Sequence, residues 1–225
     1  MKTVLAFDVY GTLIDTAGVV SELRKTVGDR APEFSQVWRD KQLEYSFRRA
    51  LMQRYEDFSV CIRESLDFTC AYLRLPLTQK DKGALLSAYG VLPLFGDVDE
   101  SLAELAAAQI DMFAFSNGSH AAVDQLLRTA GIADRFVDIV SVEEVQTFKP
   151  NPAVYHHFLK RAEVDGKNAW LISGNPFDVI GAVSAGMQAA WVRRSTDATF
   201  DTWGIEPTIT VASLAELKAA ITSRR

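Results

Sequence analysis

The stretch "TVLAFDVYGTLID", residues 3–15, decides the fold. An apolar run of strand length stops at Asp8, and Tyr10, Gly11 and Thr12 follow at once, so the carboxylate stands where a buried strand gives way to a turn. From residue 96 onward comparable runs alternate with helical patterns: "LAELAAA", "IDMFAFS", "HAAVDQLLRTAG", "FVDIVSV", "NPAVYHHFLKRA", "NAWLIS", "PFDVIGAVSAG", "QAAWVRR", "TITV" and "SLAELKAAI". Repeated strand–helix alternation with near-continuous apolar strands predicts an α/β protein, a Rossmann-like parallel sheet with helices on both faces. "TVLAF" starts that sheet.

Residues 15–95 have a different texture. Helical patterns run from about Pro32 to Tyr55, Ser59 to Leu75 and Thr78 to Tyr89 with no strand between them, and Pro93 and Gly96 mark the end of the block. The reading is a core of residues 1–14 and 96–225 that carries an inserted helical cap, residues 15–95. No internal repeat is evident.

Composition narrows the function. Of the 225 residues 48% are hydrophobic and 24% charged, the balance of a globular chain. A formal charge of −5 argues against nucleic acid, which requires a basic surface to displace counterions. The longest apolar runs fall far short of the ~20 residues of a membrane span, and the N-terminus lacks the apolar region and cleavage site of a signal peptide, so the expected location is cytoplasmic. Cys61 and Cys70 are too few and wrongly spaced for a disulfide framework or a zinc site, and read as buried small hydrophobes.

Ligands of open α/β sheets bind outside the carboxyl ends of the strands. Four loops lie there: Asp8 after "VLAF", Ser116-Asn117-Gly118-Ser119 after "MFAF", Lys149 shortly after "DIVSV", and Ser173-Gly174-Asn175 after "AWLI". Neither G-x-G-x-x-G in the first loop nor a P-loop motif anywhere supports nucleotide binding. The three histidines show no ligand spacing and no serine-protease arrangement.

The combination "FDVYGTL", "SNGS", "FKPNPAVY" and "SGNPFD", in this order with a helical block after the first, resembles the haloacid dehalogenase superfamily over essentially the whole chain. Phosphatases of that superfamily carry D-x-D-x-T in the first loop and a carboxylate pair in the fourth; here the second Asp is Tyr10, and the fourth loop offers Asn175 with only Asp178. Magnesium prefers carboxylate and water oxygens, so the expectation is no metal and no cofactor. Tyr10 together with "WRDKQLEY" in the helical block resembles the L-2-haloacid dehalogenases in particular. That resemblance implies a small 2-substituted carboxylate as substrate, a halide product and a homodimer formed through the insertion helices.

Elementary chemistry agrees. An Asp carboxylate, ordinary pKa ~3.9, is ionised at neutral pH and attacks an electrophilic carbon without a base. The substrate is itself an anion, and two unit charges 4 Å apart repel by ~4 kcal/mol at an effective dielectric of 20, so a metal-free site must supply cations. Lys149 and Arg39 are the candidates. Lys149 precedes Pro150, which favours extended backbone, and Asn151-Pro152 reads as N-cap and first residue of a helix. Arg39 has Leu43 and Phe47 at i+4 and i+8 and no carboxylate at i±3 or i±4, so it faces inward without a local partner.

The resemblance implies the remaining roles. Thr12 anchors the first loop, Ser173 and Asp178 orient Lys149, and Asn175 positions the hydrolytic water. Arg39 and Asn117 accept the departing halide, Ser116 and neighbouring amides hold the substrate carboxylate, Tyr155 reaches back toward the site, and Tyr10, Leu43, Phe58 and Phe177 wall the pocket. For Asn175, Pro176 and Asp178 a purely structural reading stands beside this one, since their spacing is close to a capping box. The family more often has Ser or Ala at Gly174 and a small residue then Trp at Pro176-Phe177, which leaves fluoroacetate and azetidine-2-carboxylate open as substrates.

Overall fold

A computed structural model describes residues 3–201 and 203–224. Strands β1 (Val4–Phe7), β2 (Asp111–Ser116), β3 (Asp138–Ser141), β4 (Ala169–Ser173), β5 (Gln188–Val192) and β6 (Ile209–Val211) form one sheet, in the order β3-β2-β1-β4-β5-β6. Every neighbouring pair is parallel. β1 and β4 are buried along their whole length, which is why their sequences read as unbroken apolar runs rather than alternating ones. Chain order reverses between β1 and β4, opening a crevice beyond their carboxyl ends. Asp8 follows β1 there, its N–H bonded to the Ile172 carbonyl of β4 at 3.0 Å.

The inserted block contains helices α1 (Val20–Val27), α2 (Ala31–Leu51), α3 (Phe58–Tyr72) and α4 (Gln79–Ala88); the core adds α5 (Val98–Ala107), α6 (His120–Thr129), α7 (Pro152–Arg161), α8 (Pro176–Ser184) and α9 (Leu217–Thr222). The expected helix to Tyr55 stops four residues early. Gln53 takes a left-handed backbone, φ 53°, and the following loop swings Tyr55 onto Phe148 of the core, ring centroids 5.0 Å apart. Arg74, φ 55°, ends α3 in the same way, short of the expected Leu75. α4 begins on a capping box between Thr78 and Asp81.

On α2 the fully buried stripe is Ala31, Phe34, Trp38, Gln42 and Ser46, which leaves Arg39, Leu43 and Phe47 half-buried on an adjoining face turned toward the core. Phe47 meets Phe177 edge to face at 5.1 Å, and Phe58 meets Phe148 at 6.1 Å, so aromatic pairs seat the block on the crevice. The chain leaves and re-enters the core on two paired segments: Asp15 N–H donates to the Pro93 carbonyl at 2.8 Å and Phe95 N–H to the Leu13 carbonyl at 3.0 Å. Cys61 and Cys70 are buried, unpaired thiols of α3.

Candidate active site

Asp8 is 7% exposed, and its two oxygens are used unequally. Oδ2 accepts from Thr12 Oγ1 at 2.7 Å, Asn175 Nδ2 at 2.7 Å and, at the long limit of 3.4 Å, Ser173 Oγ. Oδ1 faces Lys149 Nζ alone, at 3.3 Å. The turn that makes this possible needs Gly11, whose φ of +82° lies in the region L side chains rarely adopt.

Lys149 is almost wholly buried, and its ammonium donates to Asp178 Oδ2 at 2.8 Å and to the Phe115 carbonyl at 2.8 Å besides Asp8. It also sits 4.1 Å from the centre of the Phe115 ring. The loop carrying it is fixed on both sides. Asn117 Oδ1 accepts the Lys149 N–H at 3.0 Å, and Asn151 caps α7 by accepting the Ala153 N–H at 3.0 Å, with Pro152 next, as the sequence predicts.

Asn175 and Asp178 are where sequence left two readings, and the geometry separates them. Asn175 makes no side-chain cap at the start of α8. Its amide instead bridges Asp8 Oδ2 and the Tyr10 carbonyl, the latter at 3.0 Å. Asp178 spends both oxygens in the interior, one on Lys149 and the other on Tyr155 Oη at 2.8 Å. The capping-box spacing is present and the capping box is not.

Two expected placements change. Ser173 makes no bond to Lys149; its hydroxyl accepts the Asn175 N–H at 3.1 Å and reaches toward Asp8, so the orienting partners of Lys149 are Asp178 and the Phe115 carbonyl. Tyr155 does not line the crevice. Its ring packs edge-on against Phe115 of β2, centroids 5.8 Å apart, and its fully buried phenol ends on Asp178 of α8.

Burial pushes the Asp178 carboxyl up from the ordinary range, the Lys149 ammonium opposing and the nearby Asp8 charge adding to the rise. Burial raises Tyr155 well above a normal phenol, and Asp178 adds to it, which keeps Tyr155 a neutral donor. Tyr10 is likewise pushed up to about 12, chiefly by burial.

Asp8, Tyr10, Arg39, Leu43, Phe58, Ser116, Asn117, Asn175 and Phe177 line a narrow, tightly packed cleft between the inserted helices and the strand ends. All four expected apolar walls are present. Arg39 reaches it with one hydrogen bond, to Gln42 Oε1 at 3.4 Å, and among the described residues no carboxylate lies within salt-bridge distance of it. Gln42, fully buried, in turn donates to Tyr89 Oη at 2.7 Å. Sequence reading passed over this glutamine, although its place four residues after Trp38 on the buried stripe marks it.

Ser116 Oγ accepts the Gly118 N–H at 3.0 Å, which tightens the second loop, and Ser141 Oγ donates to the Gly118 carbonyl at 2.8 Å. Glu143 takes the His120 N–H at 2.8 Å, so one amide at the opening of α6 is already satisfied. Ser141 was also missed, though it ends β3 on the same edge. Among the described residues no group of three His, Cys, Asp or Glu side chains is placed to hold a metal ion.

A family model described as haloacid dehalogenase-like hydrolase matches residues 2–186. The chain is 35% identical over 213 residues to an (S)-2-haloacid dehalogenase of Pseudomonas putida, covering 95% of this chain and 93% of that one. It is 31% identical over 207 residues to haloacetate dehalogenase H-2 of Moraxella sp. (strain B), covering 92% of each. Its structure matches that of an L-2-haloacid dehalogenase from Xanthobacter autotrophicus with chloropropionic acid covalently bound, at a TM-score of 0.93 and 30% identity over 100% of both chains. The chain belongs to the haloacid dehalogenase-like hydrolases and, among them, to the family of the (S)-2-haloacid dehalogenases.

Proposed function

We propose that this protein hydrolyses the carbon–halogen bond of short L-2-haloalkanoic acids to D-2-hydroxyalkanoic acids and halide, without a metal, through an ester on Asp8. The observation that carries the reading is the division of labour on that carboxylate. Oδ2 is held by three donors while Oδ1, next to one ammonium, keeps lone pairs free toward the cavity. Oδ1 attacks C2 from the face opposite the halogen; the new C–O bond forms as the carbon–halogen bond breaks, and the halide leaves with the bonding pair. Water then adds to the Asp8 ester carbonyl, where Thr12, Asn175 and Ser173 stabilise charge on Oδ2 as an oxyanion hole does. Collapse restores the Asp8 carboxylate and releases the hydroxy acid, a proton passing to solvent. A covalent chloropropionic acid adduct in the Xanthobacter relative supports such an intermediate.

The other roles follow from placement. Arg39 and Asn117 receive the halide, Ser116 and the adjoining amides hold the substrate carboxylate, and Asn175 positions the water. Tyr10, Leu43, Phe58 and Phe177 exclude competing water from the displacement. Lys149 and Arg39 together offset the repulsion between substrate and Asp8. The narrowness of the cleft these residues line restricts the enzyme to small acids. Residues 15–95 act as a cap that closes on the core of residues 1–14 and 96–225, and the exposed Leu51, Met52 and Tyr72 of its helices give a homodimer its contact surface.

The test is halide release from L-2-chloropropionate in excess EDTA. Release by the wild type and none by Asp8→Asn supports the proposal. No release by the wild type overturns it and turns attention to fluoroacetate and azetidine-2-carboxylate, which use the same attack on a carbon alpha to a carboxylate. Magnesium-dependent hydrolysis of a phosphomonoester would instead establish a phosphatase, a reading Tyr10 disfavours.

A further inference from the structure

Arg194 follows β5 at the same sheet edge and touches nothing in the cavity, yet its guanidinium is tied to the first loop and to the entry of the cap. Nε donates to the Thr12 carbonyl at 3.1 Å, and a second donor, Nη2, reaches the same oxygen at 2.5 Å. Nη1 donates to both oxygens of Asp97 at 2.7 Å, and Asp97 Oδ2 also takes the Leu214 N–H at 2.7 Å. The guanidinium plane lies over the Phe95 ring, 4.3 Å from its centre. Its stem passes the fourth loop, where a Cβ added to Gly174 would meet Arg194 Cγ at 3.3 Å and the Gly11 carbonyl at 2.4 Å.

These contacts converge on one residue of the site. Thr12 donates from Oγ1 to Asp8 Oδ2, accepts the Gly174 N–H on the same oxygen at 2.8 Å, and offers its carbonyl to Arg194. Leu13 and Phe95, next to Thr12 and to the cap's return segment, are themselves hydrogen-bonded at 3.0 Å. A planar fork with donors on two edges can hold a carbonyl and a carboxylate together; an ammonium on a flexible stem cannot span both in fixed geometry.

We infer that Arg194 is a positioning residue: it clamps the Thr12 carbonyl against Asp97 and Phe95 and thereby couples the cap's hinge to the orientation of Asp8. The kinetic part of its test rests on the proposed dehalogenase reaction; the exchange part does not.

Arg194→Lys keeps the charge beside Asp97 and gives up the fork, and Arg194→Ala removes both. Hydrogen–deuterium exchange should rise in peptides covering residues 8–15 and 93–97 of Arg194→Lys while peptides from α2 and α3 stay unchanged. With L-2-chloropropionate under single-turnover conditions, the rate constant for ester formation should fall at least tenfold with KM little altered. That constant is indifferent to the fraction of folded enzyme, which a merely structural role would change instead. Exchange at the wild-type level in both peptides, or an unchanged ester-forming rate constant in an active preparation, overturns the inference. Wild type that shows no dehalogenation, with the exchange result intact, counts against the reaction and leaves the clamp standing.

Discussion

Lys149 Nζ stands between Asp8 and Asp178, 3.3 Å from an oxygen of one and 2.8 Å from an oxygen of the other, with all three side chains buried. Two carboxylates this close in a dry site tolerate full ionisation only with a cation between them. The lysine therefore balances the charge of the pair and fixes the direction in which the nucleophile points.

Removing that cation tests the arrangement. Lys149→Met keeps most of the side-chain length and leaves two buried carboxylates without the cation that separates them. We expect kcat to fall by a factor on the order of 10³ or more, and unfolding in urea to report a loss of about 3–5 kcal/mol, the cost of stranding a buried charge. Turnover within tenfold of wild type would contradict this account of Lys149.

The raised Asp178 carboxyl makes a pH prediction. In the unfolded chain Asp178 titrates at the ordinary value, and in the folded one burial holds its pKa higher. Between the two values the folded protein keeps a proton that the unfolded chain has lost, so the contribution of Asp178 to stability declines as pH rises across that window. Protonation of Asp178 from neutral pH downward removes the carboxylate partner of Lys149. The acid limb of kcat should accordingly fall above the usual carboxylate range in wild type and shift in Asp178→Asn, which should also lose the stability decline. Superimposable acid limbs would assign that titration elsewhere.

Tyr155→Phe separates a positioning role from a substrate contact. The phenol donates to Asp178 at 2.8 Å and faces no part of the cavity, so its loss leaves a buried acceptor unsatisfied. The variant should lose about 1–3 kcal/mol of stability and roughly tenfold in kcat, with KM for L-2-chloropropionate unchanged. A selective rise in KM would return Tyr155 to the substrate.

The same corner is packed without slack. A Cβ on Gly181 would stand 2.3 Å from Tyr155 Oη and 2.8 Å from Pro150 Cβ, beside the Lys149–Pro150 junction. Gly181→Ala should therefore cost the ~1–3 kcal/mol of stability typical of overpacking, lower the thermal midpoint accordingly and move Tyr155 off Asp178. A midpoint equal to wild type would show that α8 shifts freely.

Much of this was written in local sequence. Buried parallel strands leave unbroken apolar runs, and the carboxyl ends of those runs point to Asp8, Ser116, Lys149 and Ser173. What lay beyond reach was the direction of side chains whose local options were equally good. Asn175, Pro176 and Asp178 satisfy a capping pattern along the chain, and only the approach of β1 and α7 draws the two polar groups away to Asp8, Lys149 and Tyr155. Tyr155 sits on a first turn that could have faced the crevice, and its burial depends on Gly181, a residue 26 positions later. Arg194 was legible in principle, because the rule that selected four strand ends also applies to the fifth.

The central claim is that Asp8, not water, attacks the substrate carbon. Enzyme in excess over L-2-chloropropionate, in water enriched in the heavy oxygen isotope, should give lactate without the label in its new hydroxyl, while mass spectrometry of the peptide containing Asp8 shows the label in its carboxylate. Label delivered directly into the lactate hydroxyl, with the Asp8 peptide unlabelled, would contradict the account.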